Sequence, residues 1–406
     1  MKLKRQIRLF YLLEIFGTFS LTDGVWVLFL LQRGFSLMEV GIAETVFHIA
    51  SFLFEIPSGA IADLFGRKKT IAASYICMTL SAFLTLIAWN LPSLCLAMVL
   101  TTLGYNLDSG TRDALTYDSL KACGQEERYL SVNSNQRFLC SVAVSLSKLT
   151  AGIAGRIGYV FSYLCNMAFS GTSVLIAWNM QEPAVTEAQK NRPRFSLSAL
   201  GRGILEQIAV SARFLWQHRE IAAKMALDAL CGCGATLTIF FLQQHFSANG
   251  VPFGWIGVFL LAVEAGGMAG TKCAPWLAAR LPFGRLAKGC VVLSFLALLL
   301  TGSALSALSV SGGFLLRFST LVLETATSGE VNRDLPSDQR ATLISVGSLL
   351  FSVCMIAATP ALSFLCEALG TGPAFRLEGT VLAVAAAAIL LLGRKAFRMA
   401  KPRKGR

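Results

Sequence analysis

The sequence predicts an all-α integral membrane protein with twelve transmembrane helices in two pseudo-symmetric six-helix bundles. The prediction rests on the composition, on the number of long apolar segments and on the distribution of cations among the loops. Of the 406 residues, 54% are hydrophobic and only 15% are charged, whereas soluble domains have about 25% charged residues. The composition therefore indicates a chain that lies in lipid.

Twelve apolar segments are long enough to cross a bilayer, since a spanning helix needs roughly 20 apolar residues. The fourth, fifth and tenth of them carry charges and are the least apolar. The first has no small-residue cleavage site, so we interpret it as an uncleaved helix and not as a signal peptide. The segments lie near 9–31, 37–58, 70–90, 93–112, 132–155, 159–180, 221–245, 254–276, 286–307, 311–330, 341–367 and 374–393.

The basic residues are concentrated in the loops that follow even-numbered segments and in the two termini. The opposite loops contain little beyond Arg33, Arg156 and Arg376. By the positive-inside rule, we expect both termini to lie in the cytoplasm. We expect the protein to lie in the inner membrane of the cell. This distribution accounts for the net charge of +13 without a nucleic-acid partner. The basic tail, 394–406, is expected to contact anionic membrane lipid.

A long polar interruption divides the chain into an N-terminal bundle (1–180), a cytoplasmic linker (181–220) and a C-terminal bundle with its basic tail (221–406). The apolar residues of the linker recur near helical spacing, which predicts an amphipathic helix on the inner leaflet. A docking site for a partner is the alternative interpretation. The apolar residues concerned are Leu197, Leu200, Ile204, Ile208 and Leu215.

Two local similarities suggest that the two halves are related. Arg128 and Arg340 follow corresponding segments and lie 340 − 128 = 212 positions apart. Gly66 and Gly284, each followed by arginine, lie 284 − 66 = 218 positions apart. Similar offsets in corresponding loops favour an internal duplication of a six-helix unit.

The most specific motif is the polar turn at 59–69, which reads Gly-Ala-Ile-Ala-Asp-Leu-Phe-Gly-Arg-Lys-Lys. Glycine permits close helix packing at its start and a tight turn near its end. The spacing G-x-x-x-D-x-x-G-R-[RK]-[RK] resembles the signature of the major facilitator superfamily, where it forms the loop between helices two and three. The resemblance implies a transporter and a conformational latch on the cytoplasmic side, built from Gly59, Asp63, Gly66, Arg67, Lys68 and Arg112.

In that latch, Arg112 is the first candidate partner of Asp63 and Arg137 is the second. Residues 55–59, 117–120 and 336–342 are similar to bacterial superfamily members of the drug:proton antiporter type. Those members usually carry a Gly-Pro pair near the end of the fifth helix, and here the region 152–155 contains no proline. The direction of transport is therefore left open.

Neither an enzyme's catalytic constellation nor the phosphate-binding motif G-x-x-x-x-G-K-[ST] occurs in the sequence, so we expect no enzyme activity and no cofactor. Energy must then come from a gradient, and the candidate coupling groups are charges within apolar segments. Each such charge costs roughly 2.5–3.5 kcal/mol by insertion scales, which makes it a functional hypothesis. The candidates are Asp23, Glu44, Glu264, Arg317 and Glu324, with Trp26 and Tyr105 as aromatic cavity residues.

The resemblance places helices one, four, seven and ten around a central cavity, which favours Asp23, Arg317 and Glu324. Asp23 has no basic neighbour at helical spacing in its own segment. Arg317 and Glu324 are seven residues apart on one helix face, so an ion pair between them is the leading alternative to a functional role. Lys148 is expected to pair with a carboxylate or to extend toward the interface. Asp228 is expected near a cytoplasmic helix end.

The functional hypothesis is proton-coupled export of small amphipathic or cationic molecules by alternating access. The partners are a small-molecule substrate, protons and membrane lipid, and we expect a monomer. The alternatives are a proton-coupled importer or a uniporter of a small metabolite, or a sensor or lipid-handling membrane protein that does not transport.

Overall fold

The structure is a computed structural model that describes residues 2–183, 206, 209–334 and 340–397. Within these ranges the side chains at 56, 59–60, 63–64, 151, 156, 332–334 and 340–345 are outside the description. Every regular element of the described residues is helical. The fold is therefore all-α, as predicted.

The first half of the chain contains nine α-helices and one 3₁₀ turn, Glu126–Arg128, among the described residues. Several of these helices follow one another with only a short break. Their bounds are α1 Leu3–Thr18, α2 Trp26–Gln32, α3 Leu37–Phe65, α4 Arg67–Ile87, α5 Leu91–Asp108, α6 Thr111–Lys121, α7 Tyr129–Leu149, α8 Ala151–Ile157 and α9 Tyr159–Asn179.

The second half contains six long helices in its described part, after a helical stretch at 209–217. That stretch holds Leu215, which packs against a small core around Phe214. The other apolar residues of the predicted amphipathic helix lie outside the described residues. The bounds are α10 Arg219–Ala248, α11 Phe253–Arg280, α12 Phe283–Thr301, α13 Ser306–Asp334, α14 Arg340–Leu369 and α15 Thr371–Leu392.

Ten spans in the described chain are long and apolar enough to cross a membrane. They coincide with ten of the twelve predicted segments. The predicted first segment is divided between α1 and α2, and the fourth between α5 and α6. The second division occurs at Gly110, whose φ of +72° is a conformation that glycine adopts without strain.

The break in the first segment is satisfied by side chains from other helices, because backbone polar groups in a membrane need internal partners. Ser147 Oγ accepts a hydrogen bond from the Ser20 backbone N–H at 2.8 Å. Asn166 Oδ1 accepts one from the Leu21 N–H at 2.8 Å, and Asn166 Nδ2 donates to Thr22 Oγ1 at 2.7 Å. The prediction of one continuous helix over 9–31 is therefore wrong.

The chain divides into two compact units. The N-unit comprises Met1–Phe29 and Val46–Gln207, and the C-unit comprises Leu30–Thr45 and Ile208–Arg406. In the C-unit, Glu367 Oε2 accepts a hydrogen bond from the Met38 N–H at the start of α3, at 2.8 Å. Gly41 lies so close to Ser363 that a Cβ at this position would overlap its hydroxyl. Residues 30–45 are thus packed on α14.

The two glycines of the proposed duplication serve different purposes. Gly66 precedes α4 with a φ of +96°, and the Arg67 N–H donates to Glu182 Oε1 at 2.7 Å. A carboxylate at a helix N-terminus is favourable. Gly284 is instead required by a close approach, because a Cβ there would overlap the carbonyl oxygen of Phe397.

Two glycines of α11 bring that helix against the backbone of α13. A Cβ on Gly266 would overlap the carbonyl oxygen of Phe314, and a Cβ on Gly270 would press on the backbone of Phe318. Glycines four residues apart permit such close contact between membrane helices. This contact holds Glu264 of α11 opposite Arg317 of α13.

Candidate functional site

The C-unit contains a cavity of about 410 Å³ between α10, α13 and α14. Its volume lies within the range of small-molecule sites, about 300–1,000 Å³. Three of its lining residues are ionisable, Asp228, Arg317 and Glu324. Its wall also presents the polar and aromatic side chains of Thr236, Thr320, Ser348 and Phe351.

Arg317 is held by Glu264. Its Nη2 lies 2.8 Å and its Nε 3.2 Å from Oε2 of that carboxylate. The two side chains are 25% and 17% exposed. The predicted ion pair between Arg317 and Glu324 is therefore wrong. Seven residues of helix separate that pair by roughly 10 Å along the axis, whereas the close contact of α11 and α13 brings Glu264 within direct reach.

Asp228 and Glu324 face the same cavity, and neither makes a hydrogen bond or an ion pair with a described residue. Glu324 is exposed and Asp228 is half-buried. Sequence reasoning selected Glu324 but assigned Asp228 to a solvated helix end. The helix α10 starts at Arg219, so Asp228 lies 228 − 219 = 9 residues inside it. Its place among the lining residues, at that depth in the helix, identifies Asp228 as a cavity group.

In the N-unit, Asp23 lies in the break between α1 and α2 and not within a helix. Its Oδ2 is 3.4 Å from Lys148 Nζ, with the two side chains 44% and 14% exposed. The expectation that Lys148 pairs with a carboxylate is thus confirmed. The view of Asp23 as an isolated mid-helix acid is wrong, because its basic neighbour comes from α7.

The cationic residues of the predicted latch have several partners in the N-unit. Arg67 forms an ion pair with Asp118 and donates to the Ala114 carbonyl at 3.0 Å. The side chain of Lys68 is half-buried at the start of α4. The surroundings of Gly59 and the side chain of Asp63 lie outside the described residues, so the partner of Asp63 stays a prediction.

Arg112 is the centre of a second buried cluster in the N-unit. Its Nη1 lies 2.6 Å from Glu14 Oε2, and it also pairs with Asp108 across the break between α5 and α6. Its Nη2 donates to Tyr75 Oη at 3.2 Å. Asp108 is four residues before Arg112, a spacing visible in the sequence, whereas the contact with Glu14 joins distant parts of the chain and was not predicted. Arg137, the second candidate, pairs with Asp113 at 2.8 Å.

The remaining candidates lie apart from these clusters. Glu44 is half-buried on α3 and is not among the residues that line the C-unit cavity. Trp26 is half-buried at the start of α2. Tyr105 is 55% exposed, with its ring 6.1 Å from that of Phe47.

The sequence profile of the Major Facilitator Superfamily matches residues 10–328, which is most of the chain. The chain belongs to the Major Facilitator Superfamily. The matched part includes the motif at 59–69 and the cavity residues on α10 and α13. This membership, together with the ten apolar helices, shows a multi-pass membrane protein of a transporter family.

A relative from Bacillus subtilis (strain 168), the MFS-type transporter YxaM, is 27% identical over 165 residues. The match covers 38% of this chain and 40% of that protein, so it spans less than half the length of the relative. It supports the family assignment.

Solved structures show the same fold. The nucleoside transporter NupG has a TM-score of 0.75 at 13% identity and covers 98% of this chain and 100% of its own. A POT family transporter in complex with 5-aminolevulinic acid has a TM-score of 0.68 at 12% identity, covering 97% and 96%. At such identities the likeness establishes the fold alone.

Proposed function

We propose that the protein is a secondary active antiporter that exports small amphipathic or cationic molecules in exchange for protons. The observation that carries this proposal is the C-unit cavity, where Asp228 and Glu324 have no ionic partner among the described residues. Both lie within helices long and apolar enough to cross a membrane. A charge inside an apolar helix is costly, so an acid without an ionic partner there is a candidate group for binding a cation.

Alternating access supplies the mechanism. A proton and a cationic substrate compete for the cavity carboxylates, and exchange of one for the other requires the cavity to open to each side of the membrane in turn. In this proposal the twelve predicted segments form two six-helix bundles, with both termini in the cytoplasm of the inner membrane. The transporter works as a monomer surrounded by lipid.

The cytoplasmic motif then acts as a latch. We propose that Gly59, Asp63, Gly66, Arg67 and Lys68 hold the inner loops closed while the outer side is open. Two contacts of Arg67 support this role because they fix the first residue of α4 in place. They are the ion pair with Asp118 and the hydrogen bond from its backbone N–H to Glu182. Asp23, at the break of the first segment, is a second candidate for proton binding.

Uptake is the second candidate direction, because the cavity wall carries hydroxyl groups. Three hydroxyl side chains on the cavity wall, those of Thr236, Thr320 and Ser348, suit hydrogen bonds to a neutral polar metabolite. The structural likeness to a nucleoside transporter is compatible with such a substrate.

Proteoliposomes with an imposed pH difference distinguish these functions. A panel of lipophilic cations and of nucleosides is tested with the interior acidic and then with the interior alkaline, and voltage is set separately by a potassium gradient. Export by antiport predicts that the cation and the protons move in opposite directions across the membrane. Proton-coupled import predicts that the substrate and the protons move in the same direction. The Asp228→Asn/Glu324→Gln double variant is the matched control. Proton-driven flux that is unchanged in this variant refutes the proposed role of the cavity.

A further inference from the structure

We propose that the face of α11 opposite α13 is a binding site for one anionic phospholipid of the cytoplasmic leaflet. Lys272 and Arg280 bind the phosphate group, Trp276 supports Arg280, and the acyl chains lie along the apolar residues that precede Lys272. The inference goes beyond the proposed function, because it requires neither a substrate nor a direction of transport.

The first argument is the position of these residues on α11. Gly270 contacts α13, and Ala274 is buried. Lys272 is two residues from each of them, a rotation of about 200° that places it on the opposite face of the helix. Trp276 and Arg280 follow at intervals of four residues and continue this face. All three side chains are exposed, and we call them the basic stripe.

The second argument is the unbalanced positive charge at this end of α11. Lys272 and Arg280 form no ion pair with a described residue. The sequence from 265 to 323 contains neither aspartate nor glutamate. Arg285 and Lys288, near the start of α12, add two exposed cations within the same interval. An anionic ligand is the electrostatic complement of such a surface.

The arrangement of Arg280 suits a phosphate group. Its guanidinium carbon lies 4.0 Å from the centre of the Trp276 ring, so the ring supports the planar group from one side. A guanidinium stacked in this way keeps the N–H groups at its edge available for two parallel hydrogen bonds to phosphate oxygens. Lys272 lies about 12 Å before Arg280 along the helix axis, and its long side chain can extend toward the headgroup region.

The apolar surface beside the stripe indicates that the anion is a lipid and not a free phosphate. Met268, Ala265 and Leu261 precede Lys272 by four, seven and eleven residues, so they extend the same face toward the middle of the span. Met268 is 51% exposed, Ala265 is exposed and Leu261 is half-buried. The small side chain of Ala265, between two longer ones, leaves room for an acyl chain.

The place of the stripe in the membrane fits the headgroup of a lipid. The helix α11 is long and apolar enough to cross a bilayer, and Arg280 is its last residue. The predicted topology puts this end at the cytoplasmic side, where anionic lipids attract basic residues. Tryptophan and long basic side chains are typical of this interface.

The test measures lipid binding to the full-length protein in detergent by native mass spectrometry. Phosphatidylglycerol is the anionic probe, and phosphatidylcholine, whose headgroup has no net charge, is the control. We expect one tightly held phosphatidylglycerol, with a Kd about 25-fold below that of phosphatidylcholine, because each of two cations near the headgroup contributes about fivefold. Glycerol 3-phosphate, which has no acyl chains, should not displace the lipid.

Variants locate the site. Lys272→Gln/Arg280→Gln should bind phosphatidylglycerol about 25-fold more weakly than the wild type. The matched control, Arg394→Gln/Lys395→Gln, removes two exposed cations from the basic tail and should bind within about twofold of the wild type. Trp276→Leu should weaken binding about two- to fivefold through loss of the stacking, and Trp276→Phe should retain most of the affinity. Thermal unfolding without lipid verifies that each variant is folded.

Four results would overturn the inference. The first is equal affinity of the wild type for the two lipids, and the second is wild-type affinity in the stripe variant. The third is an equal loss in the tail control, which would indicate attraction by net charge alone. The fourth is displacement of the lipid by glycerol 3-phosphate, which would identify a free phosphate as the ligand.

Discussion

Arg317 donates two hydrogen bonds to Glu264, and Glu324 on the same helix as Arg317 has no ionic partner among the described residues. The two glutamates therefore differ in kind. Glu264 neutralises an arginine on the cavity wall, and Glu324 presents an uncompensated charge to the same cavity. Their side chains are chemically identical, so the difference arises entirely from the packing of α11 against α13.

Neutralising Glu264 should destabilise the protein. Glu264→Gln leaves the Arg317 guanidinium without its counter-ion in a partly buried position, at a cost of about 3 kcal/mol. Thermal unfolding in detergent measures the change, and adding Arg317→Gln should restore part of the stability. Glu324→Gln is the matched control and should unfold close to the wild-type temperature. Equal destabilisation by both single variants would contradict the assignment of the pair.

Asp23→Asn should abolish proton-coupled transport while folded protein remains in the membrane. Asp23 lies in a helix break whose backbone groups are bonded by Ser147 and Asn166, so the break persists without the carboxylate. Flux in proteoliposomes and the amount of folded protein are measured together. If the Asp23→Asn/Lys148→Gln variant regains flux, the pair with Lys148 is structural only. Full activity of Asp23→Asn removes this residue from the mechanism.

Asp63→Asn should shift the transporter toward the inward-open state. The residue lies near the end of α3, at the predicted cytoplasmic loop and away from the membrane centre, so direct contact with substrate is not its role. Distances between spin labels on the inner loops should lengthen in the variant. Asp118→Asn, which removes the partner of Arg67, should act in the same direction. Unchanged distance distributions in both variants would refute the latch.

The contact between α11 and α13 can be tested with adjacent glycines. Gly266→Ala places a methyl group against the carbonyl of Phe314, which cannot move aside, and should destabilise the protein by about 1–3 kcal/mol. In Gly267→Ala the nearest atom is a side-chain carbon of Leu321 at 3.5 Å, an ordinary contact. This variant should be nearly neutral, because alanine favours the helix. Similar unfolding temperatures for both variants would contradict the described contact.

Hydropathy was sufficient to predict most of the spans, because a helix surrounded by lipid must be apolar along about 20 residues. The same criterion could not predict the break at 19–25, since Phe19 and Leu21 continue the apolar run. The polar Ser20, Thr22 and Asp23 are the only local indication. The groups that replace the helical hydrogen bonds come from helices more than 120 residues further along the chain.

The candidate site was partly predictable for a related reason. A charge within an apolar segment is easily recognised in the sequence, and it suggests a function because its insertion into the membrane costs free energy. This criterion selected Arg317, Glu324 and Glu264. Which of them pair depends on the closeness of two helices, and this was not visible in the spacing of residues along one helix. Asp228 was missed because its position in the segment 221–245 does not show which helices face it, and only the packing of α10 against α13 and α14 places it on the cavity wall.

The assignment of Leu30–Thr45 to the C-unit means that the halves of the sequence are not the units of the fold. The polypeptide passes from one unit to the other three times, after Phe29, after Thr45 and after Gln207. Cutting the chain in the central linker would therefore leave the two fragments interleaved. The first fragment would keep Met38 and Gly41, whose packing partners Glu367 and Ser363 belong to the second. Each fragment would then carry part of the binding surface that holds the other.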